Sequence, residues 1–319
     1  MPGVPAWSEF IAQLSQLPAE AISVTECEPL APHTTLRIGG PARAVVRCGR
    51  HRAVAATVRA AARTGVPWLP LGLGGNVLIP DEGLEAAVVV LVGELAAVTV
   101  TGTRLRAGGG ARLAAVVRAA VDAGLAGIEC LGGIPSTLGG ALAGNAGAHG
   151  QEILDVLDVA EVVESDGETR RLARREIEGG YRWSVLGVGR VVTSAELALS
   201  TADPAALAER SLAAREKRRA ALPVEPSAGS VFRNPPGDHA GRLLELAGCK
   251  GLRCGRAEVS WRHANVIVNL GEATAAQVRA LVATMAARVR DRFGIELRLE
   301  LKILDREGRI VTDPEAALA

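Results

Sequence analysis

The chain has 319 residues, with 36 basic and 35 acidic side chains and a formal net charge of +1. This length allows two or three domains, each with its own core. The balanced charge gives no basic field for nucleic acid, so we expect no such partner. The apolar runs are too short to cross a bilayer, and no export signal is visible at the N-terminus, so we expect no membrane partner.

The cysteine pattern favours reduced thiols in a cytoplasm. The five cysteines are an odd, scattered set without a secretion signal: Cys27, Cys48, Cys130, Cys249 and Cys254. The last two lie close together in the sequence, but no second Cys or His pair completes a zinc site. We therefore expect no metal.

The first part of the chain, residues 1–93, predicts a compact lobe. An amphipathic helix over 7–17 precedes a strand at 44–47, and a helix over 52–64 ends at Gly65. Three further strands follow, at 68–71, 77–79 and 86–92. We expect them to complete a β-α-β-β set.

The middle part, residues 94–202, predicts a second lobe of α+β type. Paired strands surround Gly102, and a helix is expected over 111–123. Asp166-Gly167 is a hairpin signal between further strands. The strands are predicted at 98–101, 104–107, 156–164, 168–172 and 190–199.

The last part, residues 203–305, predicts a separate α+β domain. Asp203 as N-cap and Pro204 at the first helical position begin a helix that runs to about residue 220. Further helices are predicted at 240–247 and 275–293, and strands at 265–270 and 295–304. Residues 306–319 are predicted to be a frayed tail.

A glycine-rich stretch, residues 132–150, carries the clearest indication of function in the sequence. More than a third of it is glycine and almost none is charged. Ordering glycine costs entropy, so a fold keeps it where the backbone approaches something closely or takes a positive φ. We expect an extended, phosphate-bearing cofactor bound by main-chain N–H groups. A flexible linker is the alternative, but Leu138 and Leu142 are placed like packing residues.

A second glycine loop, G-L-G-G-N at 72–76, follows a predicted strand. It is not a Rossmann loop, because Val77 stands at the third glycine position and a strand follows instead of a helix. No Gly-Lys-Ser/Thr occurs, so a Walker A loop is also excluded. The two loops could hold one pyrophosphate together, or they could be two unrelated tight turns.

Three further residues stay ambiguous on their own pattern. Ser230 lies in no G-x-S-x-G elbow, so it is a turn serine or a proton donor that needs no activation as a nucleophile. Glu300 belongs to an alternating charged face, which periodicity alone cannot divide. Arg182, among aromatic residues, could stack or bind an anion.

Together, these segments resemble the UDP-N-acetylenolpyruvoylglucosamine reductase family over roughly residues 30–304. The resemblance is carried by T-T-L-R-I-G-G-P-A (34–42), L-G-L-G-G-N-V-L-I (71–79), G-I-P-S-T-L-G-G-A-L-A-G-N-A-G-A-H-G (133–150), Y-R-W-S (181–184), P-S-A-G-S-V-F-R-N-P (226–235), A-G-R-L-L-E-L-A-G-C-K-G (240–251), V-S-W-R-H-A-N-V-I-V-N (259–269) and G-I-E-L-R-L-E-L (294–301). It implies an α+β fold: a two-lobed FAD-binding domain of the vanillyl-alcohol-oxidase (PCMH) type and a C-terminal α+β substrate-binding domain.

The resemblance also implies site residues. The positions that match the family's FAD-binding loops are Arg37, Ile38, Gly39, Gly72, Leu73, Gly74, Gly75, Asn76, Val77, Gly132, Gly133, Ile134, Pro135, Ser136, Gly139, Gly140, Asn145, Ala146 and Gly147. The positions that match its catalytic residues are Ser230, Arg182 and Glu300. Those implied for the substrate are Tyr181, Lys217, Asn234 and His263.

The activity implied by the resemblance is reduction of UDP-N-acetylglucosamine enolpyruvate by NADPH through FAD, in peptidoglycan precursor synthesis. Ser230 would protonate the product carbon, while Arg182 and Glu300 would polarise the substrate's carboxylate. The family default is a cytoplasmic monomer. Open alternatives are an oxidase or dehydrogenase with another small substrate on the same scaffold, and a catalytically silent nucleotide-binding protein.

Several positions depart from the family pattern. Gly75 replaces the usual serine, Arg256 a usual glycine, and Asp305 the glycine that commonly ends the last strand. The segment before Pro226 is one residue shorter than usual, which weakens the expected substrate contacts around 217–225. The short span after Arg253 favours the family type that lacks an extra tyrosine-bearing loop.

Overall fold

The structure is a computed structural model that describes residues 6–312. Its contacts divide the chain into two units. Within the described residues, the first unit comprises 6–26, 44–73 and 87–218, and the second comprises 27–43, 74–86 and 219–312. No helix in the described part of the chain is long and apolar enough to cross a membrane.

Seven α-helices occur within residues 6–312, and local sequence signals explain their ends. Helix α2 ends at Gly65 with φ +67°, where a side chain would be strained. Helix α7 begins with a capping box between Thr274 and Gln277. The helices are α1 Trp7–Leu14, α2 His51–Thr64, α3 Leu113–Asp122, α4 Leu138–Ala143, α5 Pro204–Ala221, α6 Ala240–Leu246 and α7 Ala275–Phe293.

The first unit holds most of a four-stranded sheet and an antiparallel five-stranded sheet. In spatial order the first consists of Ile22–Pro29, Pro41–Cys48, Leu84–Leu91 and Trp68–Pro70. The second consists of Thr169–Ala173, Leu157–Glu164, Arg190–Ala198, Arg104–Gly108 and Val98–Thr101. The predicted hairpin at Asp166-Gly167 joins two adjacent strands of this second sheet. Two hydrophobic cores lie within the unit, one against α2 and the other against α3 and α4.

Three short strand pairs complete the first unit. They are Gly147–Ala148 with Gln151–Glu152, Gly179–Gly180 with Trp183–Ser184, and Leu125–Ala126 with Ser200–Thr201. The pair that ends at Trp183–Ser184 carries Arg182 in its turn, and the pair that begins at Gly147–Ala148 ends the glycine-rich stretch.

The second unit contains an antiparallel four-stranded sheet packed with α6 and α7 around one core. In spatial order its strands are Ser227–Ser230, Val266–Asn269, Ala257–Val259 and Arg253–Cys254. A three-stranded sheet joins Ile310–Val311, Lys302–Leu304 and Val77–Leu78, the last two in parallel. The strand Ser227–Ser230 ends at the serine singled out by its sequence.

The division into units differs from the predicted domain borders. Residues 27–43 join the second unit because the Thr35 hydroxyl donates to the Ser227 carbonyl at 2.7 Å. Residues 74–86 join it as well, since the Asp81 carboxylate accepts the N–H of Ala275 at the start of α7. Most of α5 belongs to the first unit, where Leu207 is fully buried in its core.

Several predicted strands need correction. The strand at 77–79 does not complete the first lobe, because Val77–Leu78 pairs with Lys302–Leu304. The strand predicted over 295–304 is regular only at Lys302–Leu304, because the N–H groups of Glu300 and Leu301 both donate to the Val231 carbonyl and break the ladder. The strands Ile22–Pro29, Ala257–Val259 and Arg253–Cys254 were not predicted.

The predicted tail is wrong for part of its length. Ile310–Val311 forms a strand that pairs in antiparallel fashion with Lys302–Leu304, so residues 306–312 belong to the folded second unit. The remainder of the predicted tail, residues 313–319, lies outside the described residues.

Candidate active site

The loop 72–76 presents main-chain donors. The N–H groups of these five consecutive residues donate to no other group in the described part of the chain. Two carbonyls of the loop are used: the Gly74 oxygen accepts from the Thr35 N–H, and the Asn76 oxygen accepts from the Lys302 N–H. The loop carries no acidic side chain. A run of free N–H groups of this kind fits an anion such as a phosphate.

Close packing explains why this loop is rich in glycine. A Cβ on Gly74 would lie 2.4 Å from the carbonyl oxygen of His33, and the φ of Gly74 is +59°. A Cβ on Gly72 would lie 2.6 Å from the Thr137 hydroxyl oxygen. These two glycines therefore hold the loop tightly against its own chain, which orients the N–H groups.

The glycine-rich stretch 132–150 is built differently. It contains the short helix α4, whose Leu138 and Leu142 are fully buried. The first helical N–H groups are engaged within the chain: those of Leu138, Gly139 and Gly140 donate to Ala111 O, Gly109 O and Thr137 Oγ1. The helix and its buried leucines exclude the alternative of a flexible linker. Because the N–H groups of Gly139 and Gly140 already have acceptors, a cofactor that contacts these residues would meet their other atoms or share the existing hydrogen bonds.

Asn145 links the glycine-rich stretch to the hairpin that carries Arg182. The Asn145 amide nitrogen donates to the Glu152 carboxylate at 2.6 Å and to the Gly180 carbonyl at 3.1 Å, and its oxygen accepts from the Leu154 N–H. Its side chain is buried. Asn145 therefore positions the chain just before Tyr181, and its cofactor role stays a prediction.

Arg182 lies at the turn of that hairpin. Its φ is +61°, and its guanidinium donates to the Gly147 carbonyl at 3.3 Å and lies 5.2 Å from the centre of the Tyr181 ring. The structure thus brings two predicted substrate or catalytic residues, Tyr181 and Arg182, next to the end of the glycine-rich stretch. Tyr181 is 46% exposed.

Backbone strain marks predicted site residues. Among residues 6–312 six non-glycine residues have positive φ, and three of them are predicted site residues: Arg37, Asn145 and Arg182. Such conformations cost roughly 1–3 kcal/mol each and persist where the surroundings enforce them, often at functional positions. Arg37 is exposed, and the neighbouring Ile38 is buried in the core of the second unit.

Ser230 and Glu300 lie on neighbouring segments of the second unit. The Val231 carbonyl, one residue after Ser230, accepts the Glu300 N–H at 2.8 Å and the Leu301 N–H at 3.1 Å. The Asn76 amide donates to the Glu300 carbonyl at 2.9 Å. The structure thus brings Asn76, the segment that follows Ser230 and the segment of Glu300 together within the second unit.

Asn265 is a positioning residue that the sequence reading missed. Its side chain, 2% exposed, accepts from the Phe232 N–H at 2.9 Å and donates to the Phe232 carbonyl at 2.8 Å. Its own carbonyl accepts the Val231 N–H. It thus holds the segment that follows Ser230. The available signal was a polar residue at the edge of the apolar run V-I-V.

The remaining substrate candidates are spread over both units. Lys217 is exposed on α5, and the Asn234 side-chain oxygen accepts the Ala240 N–H at the start of α6. His263 accepts the Asn265 N–H at Nδ1. Burial and the nearby Lys250 charge lower the pKa of His263, which favours the neutral ring. Among the described residues no group of three or more His, Cys, Asp or Glu could hold a metal.

Comparison with known proteins identifies the family. The family described as "FAD binding domain" matches residues 42–173, and that described as "UDP-N-acetylenolpyruvoylglucosamine reductase, C-terminal domain" matches residues 221–304. A protein named UDP-N-acetylenolpyruvoylglucosamine reductase 2 from Symbiobacterium thermophilum is 43% identical over 282 residues, which cover 88% of this chain and 92% of that protein. The chain belongs to the UDP-N-acetylenolpyruvoylglucosamine reductase family.

Two further relatives agree with this assignment. A UDP-N-acetylenolpyruvoylglucosamine reductase from Acidiphilium cryptum is 43% identical over 86% of this chain and 89% of its own length. The crystal structure of UDP-N-acetylenolpyruvylglucosamine reductase from Thermus caldophilus superposes with a TM-score of 0.76 at 36% identity, covering 88% of this chain and 98% of that chain. The predicted fold class, an α+β FAD-binding domain with a C-terminal substrate-binding domain, is confirmed.

The family makes the chain an FAD-dependent oxidoreductase. The residues present fit this cofactor, because the loop 72–76 offers five main-chain N–H groups that the described chain leaves without acceptors. In loops of this type the peptide N–H groups donate hydrogen bonds to the oxygens of a diphosphate.

Proposed function

We propose that this chain reduces UDP-N-acetylglucosamine enolpyruvate to UDP-N-acetylmuramate with NADPH, a step of peptidoglycan precursor synthesis. The family relatives carry the substrate in their names. The observation in this chain that supports the chemistry best is the placement of Ser230 beside the Glu300 segment through the Val231 carbonyl. A proton donor and a carboxylate on neighbouring segments suit proton delivery to a carbon next to a carboxylate.

Bound FAD would supply the redox chemistry, by accepting a hydride from NADPH and delivering one to the methylene carbon of the enolpyruvyl group. The loop 72–76 would hold the cofactor's diphosphate through its N–H groups. The other residues of the FAD set, among them Arg37, Gly133 and Gly147, keep the cofactor roles implied by the family as proposals.

Ser230 would donate the proton that completes the reaction. Hydride addition to the methylene carbon leaves negative charge on the adjacent carbon and its carboxylate, and protonation of that carbon gives the saturated product. A free hydroxyl is a weak acid, but a carbanionic centre is strongly basic, so a positioned donor suffices. A water or a nearby base then returns the proton to the Ser230 oxygen.

Arg182 and Glu300 would act on the substrate's carboxylate. A guanidinium can bind a carboxylate with two parallel hydrogen bonds, which favours the enolate-like charge distribution. Lys217 and Asn234 are proposed for the substrate's diphosphate, and Tyr181 and His263 for further substrate contacts. Because His263 favours the neutral form, it would contribute a hydrogen bond rather than a charge.

The decisive experiment is steady-state turnover. We expect NADPH oxidation that depends on the enolpyruvyl sugar nucleotide and exceeds NADPH oxidation with oxygen alone. A yellow protein that oxidises NADPH no faster when the sugar nucleotide is added would point to the alternative, an oxidase or dehydrogenase with another substrate. A colourless protein that binds no FAD would contradict both enzyme readings.

The role of Ser230 is tested by separating the two half-reactions. In Ser230→Ala we expect NADPH to reduce the flavin at the wild-type rate, while reoxidation by the sugar nucleotide falls by about 10²–10⁴-fold, the usual range for a lost general acid. Stopped-flow absorbance of the flavin measures both rates, and Ser227→Ala, on the same strand, is the matched control. Equal losses in both half-reactions would contradict the proton-donor role.

We further propose that the chain works as a cytoplasmic monomer on a small-molecule substrate, without nucleic acid. The near-zero net charge argues against a nucleic-acid partner. The five free cysteines are typical of a reducing compartment such as the cytoplasm. Light scattering on the purified protein tests the monomer: a mass near 33.0 kDa is expected, and twice that mass would contradict it.

A further inference from the structure

Two cationic side chains of the second unit form no ion pair with any carboxylate that the structure describes. Arg233 follows the Ser230 segment, and Lys302 begins the strand Lys302–Leu304. Within residues 6–312 no ion pair joins either side chain to a carboxylate. The Nε atom of Arg233 is buried and has no hydrogen-bond partner in the described part of the chain. Buried donors are normally paired, so this atom calls for an explanation.

The two charges also act on each other. Burial lowers the pKa of Lys302, and the positive charge of Arg233 lowers it further. Burying charges that the fold does not pair costs free energy, and like charges nearby add to that cost. A bound anion would offset both costs at once, because it would supply the missing partner to each cation.

A main-chain hydrogen bond places Lys302 beside further hydrogen-bond donors. The Lys302 N–H donates to the Asn76 carbonyl at 3.1 Å, so Lys302 adjoins residues 74–76, whose N–H groups lack acceptors in the described chain. The Arg233 N–H donates to the Arg298 carbonyl at 2.9 Å. Residues 74–76, Arg233 and Lys302 all belong to the second unit, and together they offer donors and positive charge without a balancing carboxylate of their own.

We propose that Arg233 and Lys302 form a two-cation subsite for an anionic group, a phosphate or a carboxylate, carried by a nucleotide ligand of the second unit. The proposal rests on the proposed function only for the identity of the two nucleotides that could bring the anion, FAD and the enolpyruvyl sugar nucleotide. Neither residue was in the predicted cofactor, substrate or catalytic sets. Lys302 would act as a mobile point charge, while Arg233 would supply a directed hydrogen bond from Nε.

Ligand affinity tests the subsite in the full chain. The variants are Lys302→Met and Arg233→Met, with Arg298→Met as the matched control because Arg298 is exposed on the same segment. FAD affinity is measured by equilibrium dialysis, and binding of UDP-N-acetylglucosamine enolpyruvate to the holoenzyme by its perturbation of flavin absorbance. We expect both test variants to weaken binding of the same ligand about tenfold or more, the loss of a charge-assisted hydrogen bond, and the control to stay within about twofold.

The two ligands distinguish the source of the anion. Weakened binding of FAD alone assigns the subsite to the cofactor, and weakened binding of the sugar nucleotide alone assigns it to the substrate. Either result supports the proposal. If both ligands bind Lys302→Met and Arg233→Met as tightly as they bind Arg298→Met, the proposal is wrong.

A stability measurement separates ligand binding from a structural role. Because Lys302 is a charge without a partner, Lys302→Met should raise the urea midpoint of the FAD-free full chain while ligand affinity falls, and Lys302→Arg should keep the affinity. A structural role predicts the opposite: stability and affinity fall together and arginine does not rescue them. Neither measurement uses turnover, so the subsite and the proposed function can fail separately. A chain that binds FAD but does not reduce the sugar nucleotide would refute the proposed function, and the FAD affinities of the variants would still test the subsite.

Discussion

The two glycine loops of this protein do different work. In the loop 72–76 the five main-chain N–H groups find no acceptor in the described chain. In the stretch 132–150 the N–H groups at the start of α4 donate to Ala111, Gly109 and Thr137 of the same unit. The longer segment has seven glycines against three, yet it is the one whose N–H groups at the start of its helix are already used within the chain.

The difference shows that glycine content alone does not measure how many backbone donors remain for a ligand. A Cβ on Gly139 would lie 3.0 Å from the Gly109 carbonyl, so glycine there permits helix α4 to pack against a neighbouring turn. Gly74 also packs closely, but its packing leaves the loop's own N–H groups pointing away from any partner. Each of the following substitutions tests one side of this comparison.

The largest effect is expected for Gly74→Ala. The new Cβ would meet backbone atoms of His33 and Thr34 at 2.4 and 2.7 Å, and overpacking of this kind costs about 1–3 kcal/mol. Since the loop carries the free donors, we expect FAD affinity to fall about tenfold or more along with stability. Equilibrium dialysis and urea denaturation measure the two effects.

Gly65→Ala is the control for this substitution. Gly65 has a similar φ of +67° at the end of α2, but a Cβ there would meet nothing within 4 Å. Only the backbone cost of about 1 kcal/mol is expected, with FAD affinity unchanged. If both variants bound FAD equally well, the loop 72–76 would not be the principal donor loop.

A smaller effect is expected for Thr137→Val in the other loop. The Thr137 hydroxyl caps α4 by accepting the Gly140 N–H at 3.2 Å, and loss of such a cap costs about 1 kcal/mol. Thermal denaturation should show the loss, and Thr137→Ser should restore it. FAD affinity should change by less than about twofold, because in the unmodified protein the Gly140 N–H donates to Thr137 and is not available to the cofactor. A tenfold loss of FAD binding would erase the distinction between the loops.

The smallest effect is expected for Gly139→Ala. The contact of 3.0 Å with the Gly109 carbonyl requires a small shift, while alanine favours a helix by about 1 kcal/mol, so we expect a net loss below about 1 kcal/mol. Gly144→Ala is the control, because its Cβ would make only an ordinary contact, 3.6 Å from the Gly140 carbonyl. Gly139→Ala should have the lower urea midpoint of the two variants. The reverse order would contradict the packing role of Gly139.

Six of the seven described helices were predictable because their signals are local, whereas α4, inside the glycine-rich stretch, was not predicted. Gly65 ends α2, Pro204 begins α5, and the residues of α7 were predicted to the position. The hairpin at Asp166-Gly167 was predictable for the same reason. Short strands without alternation, such as Arg253–Cys254, carry no such signal, because their pairing partners are set by the surrounding fold.

The candidate site was predicted through the family motifs more than through the residues. The pattern around Ser230 and Glu300 indicated neither role by itself, whereas the resemblance singled out both, and the structure places them on neighbouring segments. Asn265 and the pair Arg233 and Lys302 were missed, because their importance lies in which buried atoms have partners and which do not.

The amino-acid sequence by itself determined the family, the α+β class, every helix except α4 and the two glycine loops, because motifs, caps and periodicity are properties of neighbouring residues. Only the tertiary structure decided where Val77–Leu78 and Ile310–Val311 pair, and which backbone donors and cations have no partner among the described residues. These features depend on contacts between residues far apart in the chain. For example, the hydrogen bond from Lys302 to Asn76 forms only when the chain has folded.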